Sequence, residues 1–252
     1  RFTGERVIRY GEVKHLFQFV LDVFGKVRLD RTRKKKLVGI VGESGSGKST
    51  IAKLIAKKLN ISYLDTGAMY RALGYFAVKN GIDVADEKQV IPVLDSIDMK
   101  LWEENGVQQV SVNDENVTPY IREHSISMAA STISKIPAVR MKMVELQRKI
   151  AMKTDCIMDG RDCGSFILPD ADYKFYMTAS SDVRAARRKK ELDEKGQNLP
   201  LEEIKADIEA RDKQDMTRKF APLVVPDGAI VIDTSEMSIE EVADVISAYL
   251  CK

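Results

Sequence analysis

The sequence predicts an α/β fold with a parallel sheet, and three observations predict it. Short apolar runs alternate with segments of helical spacing along most of the chain. The polar clusters fall just after those runs, where an open parallel sheet places its ligands. A glycine-rich turn joins the first apolar run to the first helical pattern.

Taken in order, Leu37-Val38-Gly39-Ile40-Val41 reads as a short buried strand. Gly42-Glu43-Ser44-Gly45-Ser46-Gly47-Lys48-Ser49 follows and matches Gly, any four residues, Gly, Lys, Ser or Thr. Ile51, Leu54, Ile55 and Leu59 then recur at helical spacing. Strand, glycine loop and helix are the setting of a phosphate-binding P-loop. The glycines let successive backbone N–H groups point into one concavity that takes phosphate oxygens. Lys48 would reach the terminal phosphates and Ser49 would hold a magnesium ion, so residues Gly42 to Thr50 form the expected ATP site.

The next run, Ile61-Ser62-Tyr63-Leu64, reads as a strand, Asp65-Thr66-Gly67 as a loop, and about 68–79 as a helix. Asp65 or Thr66 suits an N-cap. Arg71 lies one turn inside, where a cation opposes the helix dipole and points to an anionic ligand. Residues 83 to 119 break the alternation. Met99-Lys100-Leu101-Trp102 and Val107-Gln108-Gln109-Val110-Ser111-Val112 flank Asn105-Gly106, a hairpin signal within a small β-rich insert. Trp102 reads there as a packing residue.

The alternation resumes with strands at 155–159, 173–177 and 229–232 and a last helix at about 239–250. Asp159, at the end of its strand, stands where such nucleotide sites place an acid for magnesium. Arg161 and Asp162 follow in the same loop. After Ser180-Ser181, a candidate N-cap, Arg184 and Arg188 are four apart on one helix face. A break at 195–200 precedes a second helix from about Leu201, on which Arg211, Asp215 and Arg218 share a face. Such an arginine-rich helical pair, following a core strand, reads as a lid over transferring phosphates. The fold class is therefore α/β: a P-loop parallel sheet with helices on both faces, a β-rich insert at about 66–150, and a helical lid at about 182–219.

Composition narrows the class. The chain of 252 residues is 44% hydrophobic and 31% charged, which suits one α/β domain with an insert. No apolar run approaches a membrane span. No secretory signal is visible in the sequence as given, which begins at Arg1 and need not be the native start. Cys156, Cys163 and Cys251 are odd in number and lack metal-ligand spacing, so a reducing, cytoplasmic setting is expected. The net charge of +2 divides unevenly, because residues 1–36 hold 11 Lys or Arg against 4 Asp or Glu. The body from 37 to 252 is net acidic, which argues against a nucleic-acid surface. In the extension Val13, Leu16, Phe17, Val20, Val23, Phe24 and Val27 form one apolar helical face. That face would dock on a second subunit or an adjoining domain and be dispensable for chemistry.

The motifs together resemble the bacterial (d)CMP kinases, or cytidylate kinases, over about residues 37 to 250. The resemblance rests on Gly-Glu-Ser-Gly-Ser-Gly-Lys-Ser-Thr at 42–50, Leu-Asp-Thr-Gly-Ala-Met-Tyr-Arg at 64–71 and Ala-Ala-Ser at 129–131 with Pro-Ala-Val-Arg at 137–140. It continues with Asp-Gly-Arg-Asp at 159–162, Pro-Asp-Ala at 169–171, and Arg-Asp-Lys-Gln-Asp-Met-Thr-Arg at 211–218. It implies ATP-dependent phosphorylation of CMP and dCMP with magnesium, and it makes the β-rich insert at about 66–150 the NMP-binding insert. It also implies that Ser131, Arg140 and Asp162 meet the cytosine, and that Arg71, Arg161 and Arg218 hold the CMP phosphate. Asp215 and Arg211 would read the ribose side, Thr66 would lie near the nucleotide, and Arg184 and Arg188 would be lid cations. Lys48, Arg161, Arg184, Arg188 and Arg218 are thus the expected catalytic cations. The departures are Val41-Gly42-Glu43, where the family loop usually begins Asp-Gly-Pro, and Cys163 and Ser165 beyond the Asp-Gly-Arg-Asp block. The alternatives are a kinase for UMP, AMP or a small metabolite, or a nucleotide-gated binding protein.

Overall fold

The computed structural model describes residues 7–8, 36–194 and 196–251. The proposed apolar helix of the extension, with Val13 to Val27, lies outside the described residues. Two compact units divide the chain: Arg1–Ser62 with Thr154–Lys252, and Tyr63–Lys153.

The first unit carries the sheet, in the order β1-β9-β8-β2-β7-β3. Its strands are β1 (Val7–Ile8), β2 (Leu37–Gly42), β7 (Cys156–Gly160), β8 (Tyr173–Thr178) and β9 (Ile230–Asp233). The edge strand β3 (Ser62–Asp65) starts in this unit, where the Ser62 N–H donates to the Asp155 carbonyl at 3.0 Å. Pairs β1–β9, β9–β8, β8–β2 and β2–β7 are parallel. The inner strands are continuous buried runs, such as Val38 to Val41, as expected when both faces of a sheet are covered. Helix α1 (Lys48–Leu59) packs against β7 and against α8 (Ile239–Leu250). A Ser238–Glu241 capping box starts α8, and Tyr249 at its far end meets Phe175 of β8 edge to face. Lys36, last of the basic run, donates through Nζ to the Leu250 carbonyl at 2.6 Å. Helices α6 (Ser181–Asp193) and α7 (Leu201–Thr217) form a hairpin around Ala185, Leu192, Ile204 and Ile208.

The second unit has α2 (Thr66–Lys79), a single turn α3 (Glu87–Val90), and the antiparallel sheet β4 (Met99–Glu104), β5 (Val107–Val112) and β6 (Glu115–Asn116). Helices α4 (His124–Ile133) and α5 (Pro137–Ala151) complete it. The hairpin turns at Asn105-Gly106, both at positive φ, as a tight two-residue turn demands. Between residues 66 and 150 strand structure is confined to 99–116, and helices make up most of the rest. The sequence reading names the hairpin but not α4 or α5. Trp102 faces Gln109 across the hairpin and remains 40% exposed.

Candidate active site

Strand register sets the first cluster. Val41 pairs with Gly160 and Gly42 with Met177, so the P-loop leaves the sheet between the end of β7 and the end of β8. Gly42 has φ +153, and a Cβ there would lie 2.0 Å from the Met177 carbonyl oxygen, which leaves glycine as the only residue that fits. Glu43 turns under the loop, where its Oε1 accepts from the Tyr176 hydroxyl at 3.0 Å and from Thr178 Oγ1 at 3.1 Å. Burial first, and the Glu43 charge second, push the Tyr176 hydroxyl up, so it stays a donor. Gly47 caps α1 in the left-handed conformation, and Ser46 is buried while Thr50 is exposed.

Lys48 opens α1 and is 5% exposed. Its Nζ donates to the Glu43 carbonyl at 2.5 Å and to Ser46 Oγ at 3.2 Å. Burial, and then the neighbouring Arg161, lower its pKa from 10.5 to about 7, against the opposing pull of Asp159, Glu43 and Asp212. Ser49 Oγ donates to Asp159 Oδ2 at 2.7 Å, which brings the two expected magnesium residues together.

Asp215 on α7 gathers two of the expected phosphate cations. Its Oδ2 accepts from Arg161 Nε at 2.7 Å and its Oδ1 from Arg218 Nη1 at 3.0 Å. Burial opposes the Arg161 charge, but Asp215, Asp212 and Asp159 outweigh it and raise the pKa. Burial, and next the charge of Arg161, lower that of Arg211. The adjoining Asp162 is 3% exposed, with its carbonyl accepting from Phe166 and Ile167 N–H groups at 2.9 and 3.0 Å in a π-turn. Arg188 sits on the α6 surface and pairs with Glu191 at 3.0 Å. Arg184 is buried and pairs with Asp212.

The second unit has its own hub. Asp65 caps α2, its Oδ1 accepting from the Ala68 N–H at 2.9 Å. Its Oδ2 accepts from Arg71 Nη2 at 2.8 Å and from Arg122 Nη2 at 3.0 Å. Gln108 of β5 accepts the Asp65 N–H at 2.9 Å, so the insert is fastened to this cap. Thr66, the first residue of α2, is buried. Ser131 and Arg140 converge on the α4–α5 turn. Ser134 Oγ donates to the Ser131 carbonyl at 2.9 Å, and Arg140 Nη1 approaches the Ser134 carbonyl at 3.4 Å. Arg140 is 2% exposed, with its guanidinium 5.4 Å over the Tyr70 ring.

Asp212, Tyr176, Gln108 and Arg122 have no site role in the sequence reading. Asp212 had a signal, because it continues the apolar row of Ile204 and Ile208 at helical spacing, and an acid on such a row calls for a partner.

The family profile described as "Cytidylate kinase" matches residues 38–252. The chain belongs to the cytidylate kinase family. It is 48% identical over 208 residues to a cytidylate kinase of Clostridioides difficile (strain 630), covering 82% of this chain and 94% of that one. A cytidylate kinase of Caldicellulosiruptor bescii is 45% identical over 209 residues, covering 83% and 92%. One from Halalkalibacterium halodurans is 43% identical over 217 residues, covering 86% and 98%. The chain is a phosphotransferase that phosphorylates CMP and dCMP, with ATP as the donor. Among the described residues no helix is long and apolar enough to cross a membrane.

Proposed function

We propose that the first cluster handles the phosphates of both donor and acceptor. The observation that carries this reading is Asp215 holding Arg161 and Arg218 in the unit that also carries buried Lys48 and the Ser49–Asp159 pair. Gly42 to Thr50 bind the ATP phosphates, with Lys48 on the β- and γ-phosphates. Ser49 and Asp159 offer only oxygen ligands, which fits magnesium. When bound, that ion would offset phosphate charge. Arg71, Arg161 and Arg218 take the CMP phosphate, Arg211 and Asp215 the ribose side, and Thr66 the neighbourhood of the nucleotide. Arg188 is the lid cation.

A CMP phosphate oxygen attacks the γ-phosphorus in line. The new P–O bond forms as the bond to the β-bridging oxygen breaks, and ADP leaves with that electron pair. The CMP phosphate is a dianion near neutral pH, so no general base is needed. The protein's work is positioning and charge stabilisation. Arg161 is suited to the developing charge because it is held as a cation and fixed through Nε, leaving its Nη groups for phosphate.

Base choice follows from donor and acceptor pattern. Cytosine offers an N4 donor to Asp162 and O2 and N3 acceptors to Arg140 and Ser131. Uracil presents an acceptor where cytosine presents N4, so a buried carboxylate would face a carbonyl. A coupled ADP-release assay over CMP, dCMP, UMP and AMP tests the assignment. The unmodified protein should favour CMP and dCMP. Asp162→Ala should reduce the CMP-over-UMP preference by about a hundredfold, the scale of one lost charged contact in a buried site. Equal turnover of CMP and AMP by the unmodified protein would rule the base assignment out.

A further inference from the structure

Ser44 of the P-loop is held on both sides of its backbone by the α6–α7 hairpin. Its N–H donates to Asp212 Oδ1 at 2.9 Å, and its carbonyl accepts from Arg184 Nη1 at 2.8 Å. Arg184 Nη1 also donates to Asp212 Oδ2, and Arg184 Nε donates to the Ala179 carbonyl at 2.9 Å. The two side chains are 6% and 7% exposed as residues, so the clasp is out of solvent. The next residue, Gly45, has φ +76, and a Cβ there would come within 3.3 Å of the Arg184 Cβ and carbonyl oxygen. The loop backbone thus lies directly on the first turn of α6.

The hairpin does not need this ion pair to stay together. Ala185, Leu192, Ile204 and Ile208 already pack α6 on α7, with Leu199 against them, and Lys205 pairs with Asp182 at 2.6 Å on the outside. A buried Arg–Asp pair replaced by apolar groups is often neutral for stability, so burial alone is a weak reason to have one. What the pair adds is a grip on one peptide of the loop. Together with the grip of Tyr176 and Thr178 on Glu43, it fixes two successive loop residues before any phosphate arrives. A ring of N–H donors binds anions in proportion to how little it must reorganise.

We propose that Arg184 and Asp212 are positioning residues, a latch through which the α6–α7 hairpin holds the P-loop in its nucleotide-binding shape and so sets the affinity for ATP. Arg184 is on this account not a phosphate ligand. Its charge is met by Asp212, whereas Arg188, one turn on, sits at the surface. The proposal rests on reading residues 42–50 as the ATP site.

The test uses the full chain and four readouts: ATP Kd by calorimetry, KM for CMP, Tm, and exchange of the Ser44 amide by NMR. In the unmodified protein that amide should exchange at least about tenfold more slowly than exposed loop amides. Asp212→Asn, and the double variant Arg184→Met with Asp212→Leu, should each weaken ATP binding at least about tenfold and speed Ser44 exchange. KM for CMP should stay within about twofold in both. The double variant removes both buried charges and should weaken ATP binding no more than Asp212→Asn does, since the pair acts as one device. An ATP Kd within twofold of normal in either folded variant overturns the latch, as does equal weakening for ATP and CMP. If neither variant folds, an unprotected Ser44 amide in the unmodified protein overturns it, and a protected one supports it. Lys48→Ala separates the two levels. If it too binds ATP normally, the reading of the loop has failed and the latch with it. If it weakens ATP binding tenfold while Asp212→Asn does not, only the latch has failed.

Discussion

Asp215 and Asp65 look alike in composition and differ in employment. Each is a single carboxylate gripping two guanidiniums, Arg161 and Arg218 in the first unit, Arg71 and Arg122 in the second. Asp215 gives both oxygens to arginine. Asp65 gives one oxygen to arginine and the other to the start of α2, while its N–H is taken by Gln108. The cations differ as well: the Arg218 side chain is 10% exposed and the Arg122 side chain 53%. One hub is committed to fixing cations, and the other is shared between cations and the fold. A charge that must be in place in the transition state is better served by the first kind of hub, and a ground-state anchor can be served by the second.

The largest expected effect tests that division directly. Arg161→Ala and Lys48→Ala should lower kcat by at least about 10², as groups acting on developing charge do, with circular dichroism unchanged. Arg71→Ala should instead raise KM for CMP by about 10–100-fold, the worth of a charge-assisted hydrogen bond, and leave kcat within about threefold. Arg218→Ala should change both parameters. Steady-state kinetics with each substrate varied decides this. A larger kcat loss in Arg71→Ala than in Arg161→Ala would erase the contrast between the hubs.

A smaller effect tests the structural side. Asp65→Ala removes an N-cap, worth about 1 kcal/mol, on top of its arginine contacts. Asp215→Ala removes arginine contacts alone. For a chain of this size that extra 1 kcal/mol is about 2–4 °C, so Asp65→Ala should melt lower than Asp215→Ala by that margin. Scanning calorimetry reads it. Equal melting temperatures would mean the cap contributes nothing that α2 does not recover from solvent.

The same contrast explains what could be seen in the sequence. The strands and the P-loop are local objects, marked by apolar runs, glycines and a helical repeat, and Asn105-Gly106 marks the hairpin by itself. Helix α4 is not marked. His124-Ser-Ile-Ser-Met-Ala-Ala-Ser-Thr-Ile is rich in residues of middling helix propensity and has no side-chain N-cap. It holds through packing, with Ala129 and Ala130 against α2 so closely that a Cβ on Gly74 would reach 3.0 Å from the Ala130 nitrogen. Pro137 does signal the start of α5, but the sequence reading uses 137–140 only as a motif and not as a helix start. Motifs brought Lys48, Ser49, Asp159, Arg161 and Arg218 into view. They did not reveal Asp212, whose contact with Ser44 spans 168 positions, or Arg122, whose contact with Asp65 spans 57. Such partners are made by tertiary structure: helical spacing marks Asp212 as an acid in need of a partner but does not name Ser44.

The smallest effect, less than one proton, concerns Lys48. Crowded cations are a property of the first unit: burial and then Arg161 depress Lys48 to about 7, and the same two causes lower Arg211. In the unfolded chain the lysine titrates near 10.5, so between about pH 7 and 10.5 the unfolded state holds more protons at this position than the folded one. The contribution of Lys48 to stability therefore rises with pH across that window, and the buried charge weighs fully against folding below it. ATP reverses the balance, because a polyanion beside Nζ favours the charged form. At pH 8 ATP binding should draw a proton from solvent, most of one per site, and CMP binding should draw less, since the proposed site sets the ATP phosphates, not the CMP phosphate, against Nζ. Calorimetry in two buffers of different ionisation enthalpy measures the uptake. Lys48→Ala should abolish it. Uptake that persists in that variant would place the titrating group elsewhere, and uptake equal for ATP and CMP would show that Nζ does not single out the ATP phosphates.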